Sequence, residues 1–223
     1  MGDISADRAG HVTTTAWVAT VLRSRIAAGD LPPGTKLSEQ QLAASLQVSR
    51  NTLREAFTIL ASESIVTRYP NRGVFVASPG TGAVREIYQM RRILEPAAVL
   101  WGPELDLARF DAVIREGEEA KSRGNIPDMA TANQNFHQTV VSMSGSPHLQ
   151  QAMSCLLAEM RLVFHAMSTK PDFHIRYADE NAVFVELLRA GRRSEAAHAL
   201  RGYLDAAEAD LLEHLESLEQ LRI

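Results

Sequence analysis

The chain has 223 residues, of which 45% are hydrophobic, and its formal net charge is −4 at pH 7. This length suits one large or two small domains with a well-formed apolar core. The single cysteine, Cys155, excludes an intramolecular disulfide and fits a reducing cytoplasm, and no apolar run approaches the roughly 20 residues of a membrane span.

A first helix is predicted over Thr13–Ala28, where apolar residues recur at helical spacing. Its predicted inward face comprises Trp17, Val18, Val21, Leu22 and Ile26. The segment Asp30–Gly34 contains two prolines and a glycine, so we expect it to end the helix and to act as a rigid connector.

Two short helices separated by a tight turn are predicted next. Ser38 is a suitable N-cap and Gln41 completes a capping box, so the first of these two short helices begins after Ser38. Only residues 47–48 remain for a turn before Ser49 caps the second helix. The apolar stripe of the second helix is Leu53, Ala56, Phe57 and Leu60. This pattern predicts a helix-turn-helix.

Polar side chains lead the second helix and lie outside its apolar stripe. Arg50 and Arg54 can match the two acceptors of guanine, and the amide of Asn51 can match adenine. A recognition helix in the major groove presents its N-terminal residues to base edges in this way. The alternative is a small helical subdomain whose arginines are merely solvated.

A β-hairpin is predicted after these helices, because Ile65–Tyr69 and Gly73–Val76 are β-branched and aromatic runs separated by residues 70–72. A helix-turn-helix followed by a hairpin is a winged helix. Residues 1–78 carry 8 Lys/Arg and 6 Asp/Glu, whereas the remainder carries 15 Lys/Arg and 21 Asp/Glu. The N-terminal part is therefore net positive and the rest net negative, which fits DNA contact by the N-terminal part. The candidate DNA-binding residues are Gln40, Ser49, Arg50, Asn51, Thr52, Arg54, Arg68, Asn71, Arg72 and Gly73.

About 65 residues of this part carry a family pattern. The matching segments are Arg23–Ile26, Gly29–Glu39, Leu42–Ala43, Val48–Arg50, Leu53–Ala56 and Pro70–Val74. Together they resemble the GntR superfamily of bacterial transcription regulators. The resemblance implies a winged helix-turn-helix that binds operator DNA.

Residues 79–83 are predicted to be a linker between a DNA-binding domain, 1–78, and an all-helical domain, 84–223. Helices are predicted there from about Ile87 to Ala98, Leu105 to Ser122, Asp128 to Met143, His148 to Met167, Phe173 to Ala190 and Ser194 to Glu219. Six helices with short loops indicate an antiparallel bundle. The expected fold class is therefore mainly α, with a winged helix before a six-helix bundle.

The segments Arg91–Pro96, Asn135–His137 and Ser144–Ser146, followed by the last two helices, are similar to the FCD effector domain of the FadR subfamily, in its six-helix VanR-like branch. Metal-binding members carry an Asp–His pair four residues apart and two further histidines on the last two helices. By this resemblance the four ligands fall on Asn133, His137, Asn181 and Tyr203, and only His137 keeps its type.

Those four residues all belong to apolar stripes, so they could line one polar spot inside the bundle. One imidazole, two amides and a phenol suit a transition metal poorly but suit an organic ligand. Arg91 is the expected cationic partner for a carboxylate. We therefore predict no metal or other cofactor, and effector binding by Arg91, Asn133, His137, Asn181 and Tyr203. The alternative is that these side chains satisfy one another as a buried network.

The leading hypothesis is a dimeric transcription regulator, a repressor released from a palindromic operator by a small organic acid. The last helix offers Leu204, Leu211, Leu215 and Leu218 as a dimer seam, although core packing explains that stripe equally well. Alternatives are a constitutive DNA-binding regulator with a vestigial effector domain, or a small helical enzyme. The enzyme has no support, because no phosphate loop, nucleophile elbow or paired acid and base is present.

Overall fold

The computed structural model describes residues 13–167 and 170–220, which are mainly α-helical. It divides the chain into two units, Met1–Ser78 and Pro79–Ile223. A winged helix-turn-helix forms the N-terminal unit and a helical bundle the C-terminal unit, so the predicted fold class is confirmed.

Three helices of the N-terminal unit are α1 (Thr14–Ala28), α2 (Glu39–Leu46) and α3 (Arg50–Ser62). The Ser38 hydroxyl accepts the N–H of Gln41, and the Ser49 hydroxyl accepts the N–H of Thr52. Both helices therefore begin at the caps that the sequence predicted. The left-handed backbone of Gln47, with φ at 53°, ends α2 and makes the short turn possible.

A three-stranded antiparallel sheet completes this unit, with strands β1 (Lys36–Leu37), β2 (Val66–Tyr69) and β3 (Gly73–Val76) in the order β1-β3-β2. Strands β2 and β3 form the predicted hairpin, whose turn has positive φ at Asn71 and Gly73. Strand β1 was not predicted, because two residues are too short for an alternating pattern.

The C-terminal unit contains six helices within the described residues: α4 (Thr81–Trp101), α5 (Leu107–Ser122), α6 (Ile126–Ser142), α7 (Pro147–Phe164), α8 (Pro171–Arg189) and α9 (Arg193–Gln220). A short 3-10 turn, His165–Met167, follows α7. Helix α4 packs mainly on α9, and α5 on α6. Phe110, Phe136 and Phe184 meet edge to face or tilted at the centre of the core.

The predicted linker at residues 79–83 is shorter in the structure. Helix α4 begins at Thr81 with Gly80 as its cap, so only Pro79 and Gly80 of that segment lie outside it. The glycines that suggested a linker do not prevent a helix, since Gly82 in the first turn costs only about 1 kcal/mol relative to alanine.

The leucine stripe of α9 belongs to the core of its own chain. Leu204 and Leu211 are fully buried, and Leu215 packs against the same core. This stripe is therefore not available as the dimer seam that the sequence offered. Core packing, the alternative explanation, accounts for it.

Candidate functional site

The polar residues at the start of α3 form an exposed face of the N-terminal unit. Arg50, Asn51 and Arg54 are all exposed, whereas Leu53 between them is fully buried. The Asn51 amide nitrogen donates a hydrogen bond to Glu55 Oε1 at 2.8 Å. The three side chains predicted to meet base edges thus lie on the solvent side of α3.

Arg54 and Arg68 are held by neighbouring groups. Arg54 Nε donates to Glu39 Oε2 at 2.9 Å, although the Arg54 side chain remains 63% exposed. Arg68 Nη2 donates to the carbonyl oxygen of Arg54 at 2.7 Å and to Thr58 Oγ1 at 2.8 Å. The Arg68 guanidinium therefore lies against α3 rather than projecting from the tip of the wing.

The tip of the wing carries one arginine on an aromatic platform. The Arg72 guanidinium lies 5.3 Å from the centre of the Tyr69 ring and 5.9 Å from that of Phe75. Asn71 and Gly73 are exposed beside it and adopt positive φ, which a larger side chain would resist. Arg72 is thus oriented by stacking and still open to solvent.

The remaining predicted DNA-binding residues have local roles. The hydroxyl oxygens of Ser49 and Thr52 lie 2.8 Å apart at the N-terminus of α3, where Ser49 also caps the helix. Gln40 is exposed in the first turn of α2. Part of the hydrogen-bonding capacity of Ser49 and Thr52 is therefore already used within the chain.

A chain of buried polar side chains crosses the core of the C-terminal unit. Arg91 Nε donates to Glu95 Oε1 at 2.6 Å, and the other carboxylate oxygen lies 2.7 Å from His137 Nδ1. These three side chains are at most 1% exposed. The Arg91 guanidinium also lies 4.8 Å from the centre of the Tyr88 ring. Arg91 and Glu95 thus form an ion pair that is fully buried in the protein.

The network continues from His137 to the last two helices. His137 Nε2 lies 3.1 Å from the Tyr203 hydroxyl, which is 2.8 Å from Asn133 Oδ1. The Asn181 amide nitrogen donates to the same Asn133 oxygen at 2.9 Å. The five residues predicted for effector binding therefore lie in one network, here called the polar core, which joins α4, α6, α8 and α9 and also contains Glu95.

Electrostatics keep Glu95 ionised and His137 neutral. Burial alone would raise the pKa of the Glu95 carboxyl, but Arg91 and His137 outweigh it and hold that pKa below its ordinary value. Burial, and then the Arg91 charge, lowers the pKa of His137 despite the opposing effect of Glu95. The imidazole proton then belongs on Nδ1, since an ionised carboxylate can only accept a hydrogen bond.

The Tyr203 hydroxyl has one proton and two neighbours. The bond recorded here runs from the Tyr203 hydroxyl to Asn133 Oδ1, the oxygen that also accepts from Asn181. Donation to His137 Nε2 instead would require the Asn133 amide to turn over, and the Asn181 amide with it, because two amide nitrogens cannot pair with each other.

Two polar atoms of the polar core have no hydrogen-bond partner among the described residues, Arg91 Nη2 and Asn181 Oδ1. A cavity of about 10 Å³ lies beside Asn133 and Asn181, which is room for about one water molecule. A wider open groove of about 500 Å³ lies between the start of α8 and the end of α9 and includes no polar-core residue. A ligand of metabolite size does not fit the cavity beside Asn133 and Asn181 as it stands.

The metal set implied by the family resemblance does not fit these residues. His137 Nε2, the ring nitrogen not bonded to Glu95, is occupied by Tyr203, and the other two positions supply neutral amides. Across residues 13–167 and 170–220, no three His, Cys, Asp or Glu side chains are grouped so that they could hold a metal ion. Neutral amides and a phenol are weak ligands for zinc or nickel.

Sequence reasoning missed two buried polar residues. Glu95 lies one helical turn after Arg91, a spacing that could have indicated the ion pair. His174, for which the sequence carried no specific signal, is only 5% exposed, and burial lowers its pKa to about 4. Its ring packs against Phe164 and Phe173, and no local sequence pattern predicted these contacts.

Comparison with known families accounts for both units. Residues 14–76 match the model of the bacterial regulatory proteins of the gntR family, and residues 86–206 match the FCD domain. The chain belongs to the GntR family of transcription regulators, in its FCD-containing branch. This confirms the family that the sequence resembled.

Individual GntR relatives agree in fold and sequence. A crystal structure described as a transcriptional regulator GntR from Rhodococcus sp. RHA1 superposes with a TM-score of 0.85, with 37% identity, covering 89% of this chain and 97% of that one. The gluconate operon transcriptional repressor of Bacillus subtilis is 25% identical over 216 residues, covering 92% of this chain and 87% of the repressor. The gluconate operon transcriptional repressor of Bacillus licheniformis is 43% identical over 85 residues, covering 38% of this chain and 35% of that repressor.

This GntR protein is therefore a transcription regulator and not an enzyme. GntR regulators bind operator DNA through the winged helix, and FCD domains bind small-molecule effectors. In the described parts of the chain, no helix combines the length and apolar character needed to cross a membrane.

Proposed function

We propose that this regulator is a homodimeric repressor that leaves a palindromic operator when a small organic acid binds its FCD domain. The observation that carries the proposal is the exposed face of α3, where Arg50, Asn51 and Arg54 face solvent while Leu53 is buried in the core. A recognition helix needs this combination of a buried anchor and exposed base-reading groups.

The need for two copies follows from the size of one winged helix. A single module of this kind buries little DNA surface, whereas tight specific sites are usually bound by dimers on inverted repeats. Two relatives are named as operon repressors, which supports repression as the mode of action.

The acid effector rests on the polar core. Arg91 Nη2 is a buried cationic donor without a partner in the described residues, and Asn181 Oδ1 is a buried acceptor without one. Buried polar atoms of this kind are uncommon in folded proteins, and a carboxylate with a hydroxyl group would satisfy both. Such a ligand would bind by separating α8 and α9 from the ion pair, because the present cavity is too small.

A second candidate is a constitutive DNA-binding regulator with a vestigial effector domain. The closed polar core favours it, since Glu95 already neutralises Arg91 and the amides of Asn133 and Asn181 are paired with each other. The two candidates differ in whether filling the core with a ligand stabilises the fold.

The test is selection of random DNA fragments by the purified protein, repeated with a panel of organic acids that begins with gluconate. We expect an inverted repeat to be enriched and its yield to fall with one of the acids. That acid should also raise the melting temperature of wild type but not of Arg91→Met. Enrichment that no acid alters would favour the constitutive candidate, and failure to enrich any sequence would contradict operator binding.

A separate prediction concerns the contribution of the wing to DNA affinity. Arg72→Ala should weaken binding to all duplex DNA similarly and reduce the slope of log K against log salt by about 1, because Arg72 would neutralise one phosphate. Fluorescence anisotropy over a range of salt concentrations measures this slope. Arg123→Ala, which removes an exposed arginine of the bundle, is the control and should leave the slope unchanged. A sequence-selective loss in Arg72→Ala would contradict the phosphate assignment.

A metal-free core makes another prediction. Protein purified without added metal should contain much less than one zinc or nickel ion per chain, since a lone imidazole without chelating partners holds these ions weakly. Elemental analysis by mass spectrometry measures the content, and a chelator should leave the melting temperature unchanged. About one metal ion per chain, lost in His137→Ala, would overturn this expectation.

A further inference from the structure

The amide of Asn51 is bonded to a carboxylate of its own helix. Asn51 Nδ2 lies 2.8 Å from Glu55 Oε1, one turn further along α3, and both side chains are exposed. A carboxylate can only accept hydrogen bonds, so the amide atom that faces Glu55 is the nitrogen and not the oxygen. The orientation of the amide is thereby set, and Asn51 Oδ1 is the acceptor that remains for a base.

Helix α1 holds Glu55 from the other side. Thr15 Oγ1, in the first turn of α1, donates to Glu55 Oε2 at 2.9 Å. Eight residues further along both helices, Arg23 donates to the Glu63 carboxylate through Nε at 3.0 Å and through Nη2 at 2.7 Å. These two contacts are about 12 Å apart along each helix, from a rise of about 1.5 Å per residue. The packing of α1 on α3 therefore positions Glu55 independently of Asn51.

The Glu55 carboxylate also affects which base edges can approach Asn51. An asparagine reads adenine through two bonds, in which the amide nitrogen donates to N7 and the amide oxygen accepts from the N6 amino group. Here the nitrogen is bonded to Glu55, whose negative charge lies beside it and disfavours base acceptors such as N7, guanine O6 and thymine O4. A base that donates is favoured instead. The donors in the major groove are the exocyclic amino groups of adenine and cytosine.

The other border of the same face suits the opposite kind of base edge. Arg54 donates through Nε to Glu39 of α2, and the other N–H groups of its guanidinium can still meet the O6 and N7 acceptors of guanine. The exposed face of α3 thus presents donors on the side of α2 and acceptors on the side of α1. Such an asymmetric face can distinguish the two strands of a half-site.

We propose that Asn51 reads the exocyclic amino group of an adenine or a cytosine in each half-site, as a hydrogen-bond acceptor held in place by Glu55. The proposal rests on the proposed operator binding and names the chemistry that this position of α3 recognises. Asn51 Oδ1 accepts the amino hydrogen, and Glu55 is a positioning residue that keeps the amide from turning over. Guanine and thymine are rejected, because they carry an acceptor oxygen where adenine and cytosine carry the amino group.

Selection of random DNA fragments by wild type, Asn51→Ala and Glu55→Ala tests the assignment. We expect wild type to require adenine or cytosine at one position of each half-site, and Asn51→Ala to accept all four bases there. Glu55→Ala should also admit guanine and thymine, since a released amide can turn over and donate. Asp30→Ala removes an exposed carboxylate that lies outside α3, and this control should keep the base preference of wild type.

Base analogues in the selected operator separate a single hydrogen bond from a bidentate one, and they need only wild-type protein. If the base is adenine, deoxynebularine, which lacks the amino group, should raise Kd about 3- to 10-fold, the effect of one hydrogen bond. In that case 7-deazaadenine, which lacks N7, should bind like adenine. If the base is cytosine, 2-pyrimidinone lacks the corresponding amino group and should raise Kd by the same factor.

The contrary outcomes are distinct. A guanine or thymine preference that Asn51→Ala relaxes would overturn the proposal, and so would a selection that Asn51→Ala leaves unchanged. Equal losses with deoxynebularine and 7-deazaadenine would show bidentate reading, and an unaltered preference in Glu55→Ala would remove the positioning role of Glu55. All these results leave operator binding standing, whereas failure of wild type to enrich any sequence would contradict operator binding and this proposal together.

Discussion

Replacing Glu95 by alanine is expected to destabilise the C-terminal unit by about 3–5 kcal/mol, the effect of leaving one buried charge without its partner. Arg91 would lose its counter-ion in a site that is 1% exposed, and His137 would lose the acceptor of its Nδ1 proton. No solvent reaches the guanidinium to replace the carboxylate. Glu216→Ala, which breaks a pair that is more than half exposed, should cost less than about 1 kcal/mol.

Urea denaturation with two probes measures this effect. Circular dichroism at 222 nm follows mainly the helices of the C-terminal unit, which contain most of the helical residues. Trp17 is 2% exposed and Trp101 79% exposed, so tryptophan emission reports chiefly on the N-terminal unit and serves as an internal control. Glu95→Ala should lower the urea midpoint measured by circular dichroism and leave the midpoint measured by tryptophan emission unchanged.

A double variant separates charge from packing. Arg91→Met combined with Glu95→Gln removes both charges, and the glutamine oxygen still accepts from His137. Replacing a buried ion pair by neutral groups is often nearly neutral for stability, so we expect the double variant to recover most of the loss. A double variant as unstable as Glu95→Ala would mean that shape rather than charge balance dominates here.

Arg54→Ala is expected to weaken the selected operator by about 1–3 kcal/mol, or about 5- to 150-fold in Kd, if Arg54 reads a guanine. Binding to unrelated DNA should change much less, since base contacts carry specificity. Gln40→Ala is the comparison and should have a smaller effect, because an exposed neutral amide of α2 makes weaker contacts. Operator affinity equal to that of wild type would show that α3 is not the recognition helix.

The free protein adds a refinement to this prediction. Arg54 is paired with Glu39 across α2 and α3, so DNA must compete with that carboxylate. Glu39→Gln should therefore tighten operator binding slightly, while Arg54→Ala combined with Glu39→Gln should bind no better than Arg54→Ala alone. Anisotropy titrations of the four proteins give this comparison directly.

Local sequence signals were sufficient where a structure is made of local contacts. Ser38 and Ser49 predicted where α2 and α3 begin, since an N-cap hydrogen bond spans only three residues. The wing followed from two β-branched and aromatic runs separated by a three-residue turn. The same signals misled at Thr81 and Gly82, where glycine suggested a linker although packing extends the helix.

The polar core required contacts between distant parts of the chain. Helical spacing placed His137 on an inward face, but its bond to Glu95 spans 42 residues and its bond to Tyr203 spans 66. No pattern within one helix specifies such partners. The leucine stripe of α9 was ambiguous for a similar reason, because an apolar stripe has the same sequence pattern whether it packs on its own chain or on a second one. Leu211 packs on its own chain.

For protein engineering, the meeting of α6, α8 and α9 around Asn133 and Tyr203 offers a starting point for a metal-responsive regulator. His137 and Asn133 each lie within hydrogen-bonding distance of the Tyr203 hydroxyl, and Asn181 donates to Asn133. Asn133→Asp, Asn181→His and Tyr203→His would supply one carboxylate and two imidazoles around His137. Removing the phenol ring would open space where the three helices meet, so a regulator controlled by a divalent ion would differ from this chain by three codons.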